Sequence, residues 1–198
     1  MISKLVIATH NRKKAGEMVT ILSKRFPQME IATLADYDGA PEPEEIGTTY
    51  NENARIKAES AFAFTGEWCV ADDAGLEIDA LDGAPGLYSK RFGGEGLPFA
   101  QKMSLILDKI QRAPSRAARF RCNVALIGPG YAAKVFEATC EGVIADQPSG
   151  GGGFGYDPIF FLPDHNCTMA DLTAEQKHEI SHRGKVLRAV GDEIASLG

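Results

Sequence analysis
The sequence predicts an α/β fold with a mixed central β-sheet flanked by helices, and three observations carry that expectation. Lys4 to Ala8 is a short apolar run that passes through a polar turn into a helical pattern with Met18, Ile21, Leu22 and Phe26 on one face. A strand feeding a helix in this way is the opening unit of an α/β domain. Farther on, Phe120, Cys122, Val124 and Leu126 alternate with Arg119, Arg121 and Asn123, and Phe136, Ala138 and Cys140 alternate with Glu137, Thr139 and Glu141. Gly128-Pro129-Gly130 between them predicts a hairpin, so the sheet is mixed rather than purely parallel. With 198 residues, 44% of them apolar, the chain can bury a full core as one large domain or two small lobes, without metal or disulfide staples.

Taken in order, the first strand ends in Thr9-His10-Asn11-Arg12-Lys13-Lys14. Unpaired N–H groups and the positive end of the helix dipole make such a turn suitable for phosphate, and the three cations oppose the dipole in a way that a bound anion would relieve. It is not a Walker A loop, because the required glycines are missing; an ordinary N-capped helix with a basic first turn is the alternative. Gln28 to Thr33 reads as a second strand, and Asp36 to Glu45 as an acidic, proline-broken loop. Thr48 to Phe64 is helical, with Ala54, Ala58, Ala61 and Phe62 forming a narrow face suited to close packing. Glu44 and Glu45 therefore precede a helix, and either could reach Asp72 and Asp73 if the loop folds over the sheet.

The apolar run Trp68-Cys69-Val70-Ala71 is expected to stop at Asp72-Asp73, with Ala74-Gly75 turning the chain into a second strand from Leu76 to Leu81. Adjacent carboxylates at the end of a buried strand suit a bound cation or a base with a raised pKa; a solvated acidic turn is the bland alternative. Gly83 to Gly86 breaks the chain, Tyr88 to Gly94 is a basic and aromatic loop, and Pro98 to Gln111 is helical. The run Gly150 to Gly153, followed by Phe154-Gly155-Tyr156-Asp157-Pro158 and a strand at Ile159 to Phe161, suits close backbone approach beside an aromatic that can stack on a nucleobase. Ser181 is the expected N-cap of a final amphipathic helix carrying Leu187, Val190, Ile194 and Leu197, which puts His182 and Arg183 in its first turn.

A formal charge of -6 argues against a protein that coats nucleic acid, since such proteins carry a basic excess. Cys69, Cys122, Cys140 and Cys167 are far apart, without zinc or redox spacing, and read as buried free thiols. No stretch has the length of a signal peptide's apolar region or of a membrane span, so the expected setting is the reducing cytoplasm.

Six motifs together resemble the inosine triphosphate pyrophosphatase family, whose members hydrolyse non-standard purine nucleoside triphosphates. They are Thr9 to Lys14, Glu44 to Ala54, Ala71 to Leu76, Gly83 to Ser89, Gly153 to Phe161, and Ile180 to Arg183, in the family's order along essentially the whole chain. The resemblance implies a single domain over 1–198, two lobes with a nucleotide cleft between them, and usually a homodimer. It implies a Mg2+-dependent reaction on ITP, dITP or XTP that yields a monophosphate and pyrophosphate. By the same resemblance, Thr9, His10, Asn11, Arg12, Lys13 and Lys14 hold the triphosphate, with Lys14 also catalytic. Glu44 and Asp73 bind the metal, Asp73 is the general base, and Asp72 supports it. Ala74, Phe154, Gly155, Tyr156, Asp157, Lys177, His182 and Arg183 match nucleotide-binding positions. His10 departs from a common glycine and Ala74 from a common serine. A nucleotide-binding sensor without catalysis is the competing reading, but it needs no acidic cluster.

Overall fold
A computed structural model describes residues 2–197, so the two terminal residues of the expected domain lie outside the described residues. Seven strands form one mixed sheet in the order β2-β1-β3-β4-β5-β6-β7. They are β1 (Lys4–Ile7), β2 (Glu30–Thr33), β3 (Trp68–Ile78), β4 (Ala117–Gly128), β5 (Tyr131–Ile144), β6 (Phe160–Leu162) and β7 (Cys167–Thr168). The helices are α1 (Arg12–Arg25), α2 (Tyr50–Thr65), α3 (Phe99–Lys109), α4 (Ala174–Ile180) and α5 (His182–Ser196). β1 pairs in parallel with β2 and β3, whereas β6 pairs antiparallel with β5 and β7.

The chain divides into two compact units, crossing from one to the other within β3, β4 and β5 and at the start of α5. The first comprises the residues up to Asp73, Cys122–Ala138, and those from Arg183 onward. Here α2 lies on one sheet face. Its small residues Ala54, Ala58 and Ala61 pack on Val6, Ala8, Cys69, Ala71 and Ala125, as the narrow face read from the sequence requires. α2 is well terminated: Thr49 and Glu52 form a reciprocal capping box, and Gly66 closes the C-terminus in the left-handed region. Leu5, Ile7 and Val70 alternate to the opposite face and are also fully buried.

The second unit comprises Ala74–Arg121 and Thr139–His182. Its core gathers Met103 and Ile106 of α3 with Leu76, Ile78, Phe120, Ile159, Phe160 and Met169. The short helix α4, begun by a Thr173–Gln176 capping box, was not legible as a separate element. Cys69, Cys122 and Cys140 are buried free thiols and Cys167 is half-buried. Among the described residues no helix is long and apolar enough to cross a membrane.

One expectation is corrected. The chain does not turn at Asp72-Asp73; β3 runs without interruption from Trp68 to Ile78, and a 3-10 turn at Asp79–Leu81 ends it. Side chains alternate across a strand, so the adjacent acids point to opposite faces and need no turn to separate their charges.

Candidate functional site
In the first unit, the polar turn after β1 is organised by Asn11. Its side-chain oxygen accepts from the backbone N–H groups of Lys13 and Lys14 at 3.1 and 3.2 Å, which makes it the N-cap of α1. Asn11 N–H in turn donates to Thr9 Oγ1 at 3.2 Å, and His10 Nε2 lies 3.1 Å from the Pro41 carbonyl oxygen. His10, Arg12 and Lys13 are exposed, and no acidic residue occupies the first turn of the helix. That leaves a concentration of positive charge at a helix N-terminus. Lys14 faces inward instead, its ammonium 3.2 Å from Asp72 Oδ2.

Asp72 and Asp73 have opposite electrostatics. Asp72 is essentially inaccessible, and its Oδ2 accepts from Arg183 Nε and Nη2 at 3.2 and 2.9 Å. Burial alone would raise its pKa, but Lys14, Arg183 and Lys57 together hold it well below the usual carboxylate range. Arg183 is buried with it and also bonds Glu17 Oε2 at 2.8 Å, so each buried charge is compensated. The neighbouring thiol of Cys122, 4.0 Å from Asp72 Oδ2, is pushed up to about 12 by burial and by that carboxylate, which makes it an inert packing group at neutral pH.

Asp73, on the other face, meets α2. Its Oδ1 accepts from Lys57 Nζ at 3.0 Å and its Oδ2 from Asn53 Nδ2 at 3.4 Å. Burial raises its pKa, and the Lys57 and Lys14 charges offset this only in part. A carboxylate whose proton affinity is raised while it stays partly accessible can act as a base. Lys57 also bonds Glu45 Oε1 at 3.0 Å, so one ammonium bridges the acidic loop and the strand. Both glutamates are exposed, and Glu45 rather than Glu44 is the loop residue linked to Asp73 through Lys57.

Lys57, Asn53 and Glu17 were missed by the sequence reading. A signal existed for the first two: they are four residues apart in α2 and flank Ala54 and Ala58, so a lysine sits beside the small-residue face that packs on the sheet. For Glu17 there was none beyond its place one turn after Lys14.

The second unit assembles the other set. Gly152 N–H donates to the Ala170 carbonyl at 2.9 Å, and a Cβ on Gly150 would come within 2.5 Å of the Ala170 backbone. The close approach foreseen for the glycine run is therefore made to the chain's own backbone. At Gly153, φ is +65° and a Cβ would meet Asp157 Oδ2 at 2.1 Å, so no other residue fits. That oxygen accepts from Phe154 N–H and from Lys177 Nζ, both at 2.7 Å, and the Lys177 ammonium lies 4.6 Å from the centroid of the Phe154 ring. Asp157 and Lys177 are buried, so an internal ion pair fixes the ring of half-buried Phe154. Tyr156 is buried, its hydroxyl donating to the Ser89 carbonyl at 2.9 Å, and Gly155 borders Phe99. His182 is buried and stacks on Phe120 with ring centroids 4.7 Å apart. Ala74 is half-buried within β3, where the chain enters the second unit.

Among the described residues, no group of three or more histidine, cysteine, aspartate or glutamate side chains is placed to hold a metal. The donor set around Lys57 still fits magnesium. That ion prefers oxygen and is held through one or two carboxylates plus phosphate oxygens rather than by a cage of protein ligands.

Fold and site define an α/β protein that carries a partly neutralised carboxylate behind a basic helix N-terminus in one unit, and an aromatic ring on a buried ion pair in the other. The Ham1 family model matches residues 5–193, and the chain belongs to that family. Among curated proteins it is similar to the dITP/XTP pyrophosphatase of Halalkalibacterium halodurans, at 45% identity over 185 residues, covering 92% of this chain and 94% of that one. It is also similar to the dITP/XTP pyrophosphatase of Listeria monocytogenes, at 42% identity over 198 residues, covering 99% and 97%. Among solved structures, the Staphylococcus aureus Ham1 protein superposes with a TM-score of 0.88 at 36% identity, covering 98% of this chain and all of that one.

Proposed function
We propose that this protein is a magnesium-dependent pyrophosphatase of non-standard purine nucleoside triphosphates, releasing pyrophosphate from dITP, XTP and ITP. Full-length similarity to proteins named dITP/XTP pyrophosphatase supports the reaction class. The observation that carries the chemistry is the unequal treatment of the acid pair: Asp72 is quenched by Lys14 and Arg183, while Asp73 keeps a raised proton affinity.

In this reading Thr9 to Lys14 hold the triphosphate, using the exposed cations and the positive dipole end of α1, whose first N–H groups Asn11 caps. Asp73, with a glutamate of the Glu44-Glu45 pair, would hold the magnesium ion. When bound, the ion neutralises phosphate charge and polarises the reacting phosphoryl group. Asp73 takes a proton from the water that attacks the α-phosphorus, and Asp72 keeps Lys14 and Arg183 in place behind it. Phe154 stacks on the base, its ring oriented by Asp157 and Lys177. Donors from Lys177 and His182 favour the 6-oxo group of hypoxanthine and xanthine over the 6-amino group of adenine, which would leave buried donors unpaired, while Arg183, expected there from the resemblance, is engaged with Asp72 and Glu17 instead.

The partner in this reading is a second copy of the chain, supported by the exposed Tyr88, and the compartment is the cytoplasm. Pyrophosphate release measured with and without Mg2+ on dITP, XTP, ITP, ATP and GTP side by side tests the proposal. Rapid, Mg2+-dependent turnover of the first three is expected; equal turnover of ATP, or release without the metal, would overturn it. Tight binding of these nucleotides without turnover would favour the sensor instead.

A further inference from the structure
Asn123 of β4 belongs to the first unit, is only 4% exposed, and its side-chain oxygen accepts no hydrogen bond among the described residues. Buried amide oxygens are almost always paired, and an exception points to a bound partner or a functional role. Its place on the sheet tells which. Two residues on, Ala125 packs in the cluster formed by Ala54, Ala58 and Ala61 of α2 with Ala71 of β3. By strand alternation Asn123 shares the α2-facing side with Ala125, and Asp73 shares it with Ala71. β3 and β4 are neighbours in the sheet, and on the reverse face Cys122 Sγ lies 4.0 Å from Asp72 Oδ2. Gly128 lies against the Trp68 ring and Cys122 near Asp72, so β3 and β4 run antiparallel; five residues on from Trp68 and five back from Gly128, Asp73 and Asn123 come opposite each other on the α2 side. Asp73 bonds Asn53 and Lys57, and no hydrogen bond joins it to Asn123 among the described residues.

We propose that Asn123 is a positioning residue for the water that Asp73 deprotonates, an assignment that rests on the pyrophosphatase reading. An attacking water has two hydrogens and Asp73 takes one; the Asn123 oxygen accepts the other and so fixes the direction of the oxygen lone pair. As the water oxygen bonds to the α-phosphorus, the bond from that phosphorus to the bridging oxygen breaks. The transferred proton rests on Asp73, the second hydrogen stays on the new phosphate oxygen, and pyrophosphate leaves with the bridging electron pair. Asn123 touches neither metal nor phosphate in this scheme. It acts through the water, so its loss lowers turnover and leaves substrate affinity alone.

The isosteric pair Asn123→Val and Asn123→Thr tests this, because the two variants differ in shape by almost nothing and in chemistry by one hydroxyl oxygen. Pyrophosphate release from dITP is followed with Tm measured alongside. Valine removes an unpaired buried polar group, so N123V should melt at or above the wild-type temperature while kcat falls roughly 10-fold at unchanged KM. Threonine restores an acceptor and should recover much of that loss. A kcat within twofold of wild type in N123V overturns the assignment, as does a raised KM at unchanged kcat, which would mark a phosphate contact. A joint fall in Tm and kcat that threonine repairs equally would reduce Asn123 to a structural residue and also overturn it. Wild-type protein that releases no pyrophosphate would sink the reaction itself, an outcome distinct from an active wild type with an indifferent Asn123.

Discussion
On one face of β3, Asp72 is met by Lys14 and by two nitrogens of Arg183; one residue later and on the other face, Asp73 is met by Lys57 and the Asn53 amide. The covalent chemistry of the two side chains is identical and their positions differ by one residue, yet their proton affinities move in opposite directions. The difference teaches that burial does not decide the role of a carboxylate. Both are buried; what separates them is the number of cations that burial brings along. Asp72 is a counter-ion that holds two cations, whereas Asp73 keeps its charge for the ligand and a raised affinity for the proton it takes in the reaction.

The largest effect that this comparison predicts is on turnover. Asp73→Asn should lower kcat by about 1,000-fold or more, since removal of a general base forfeits a contribution of roughly 10²–10⁴ and weakens the metal set as well. Nucleotide binding should survive in an equilibrium titration, and Tm should hold or rise, because an ionised Asp73 is disfavoured by its surroundings. Near-normal pyrophosphate release by this variant would erase the distinction between the acids.

Asp72→Asn should instead fail in stability. It leaves buried Arg183 and half-buried Lys14 against a neutral amide, a change worth about 3–5 kcal/mol, or about 10 °C or more in Tm for a chain of this size. Its pH dependence has a definite sign. The folded pKa is depressed, so the stabilisation is fully present above the ordinary carboxylate pKa and is lost as pH falls through the folded value. The Tm gap between wild type and D72N should therefore stay level from neutral pH into the mildly acidic range, then shrink below about pH 4. A gap that already closes near neutrality would show that Asp72 is not held by these cations.

Much of this was legible in the sequence, and the exceptions share a cause. Strand alternation, the alanine face of α2 and the apolar stripes of α1, α3 and α5 are local patterns, and they placed most elements within a few residues. The acid pair was noticed, but the turn assigned to it was wrong: two adjacent charges read as a break in a buried strand only while their partners are unseen. Lys14 lies 58 residues from Asp72 and Arg183 lies 111, and the fold alone brings them together. Lys57 escaped because a lysine in a helix is ordinarily solvent-facing; only contact with Glu45 and Asp73 shows that it faces inward. In the second unit the motif around Phe154 was visible, whereas the service of Asp157 and Lys177 as supports for the ring was not.

Lys57 gives the comparison its next test. Lys57→Met removes the direct cation on Asp73 while keeping the length of the side chain, and leaves burial as the dominant influence. Loss of a nearby positive charge disfavours the ionised carboxylate, so the acidic limb of the kcat/KM profile should move to higher pH, with the plateau lowered roughly 10- to 100-fold. An unshifted limb would mean that Lys57 serves Glu45 and the loop rather than the base.

The smallest expected effect lies in the second unit, where a buried ion pair again serves as support. Asp157 and Lys177 compensate each other as Asp72 and Arg183 do, and what they hold is the Phe154 ring. Phe154→Ala removes the stacking surface and leaves the pair intact. Base–aromatic stacking is worth about 1–3 kcal/mol, so KM for dITP should rise about tenfold while kcat, set on β3, changes little. Removal of the ring also uncovers the Lys177 ammonium, which, still paired with Asp157, carries further N–H groups for a 6-oxo group. Discrimination between XTP and ATP should therefore persist in the variant even as both bind more weakly. If discrimination collapses with affinity, the ring selects the base by shape and the ion pair beneath it is scaffolding; if kcat falls instead, Phe154 acts on the reaction geometry and the separation of binding from chemistry between the two regions does not hold.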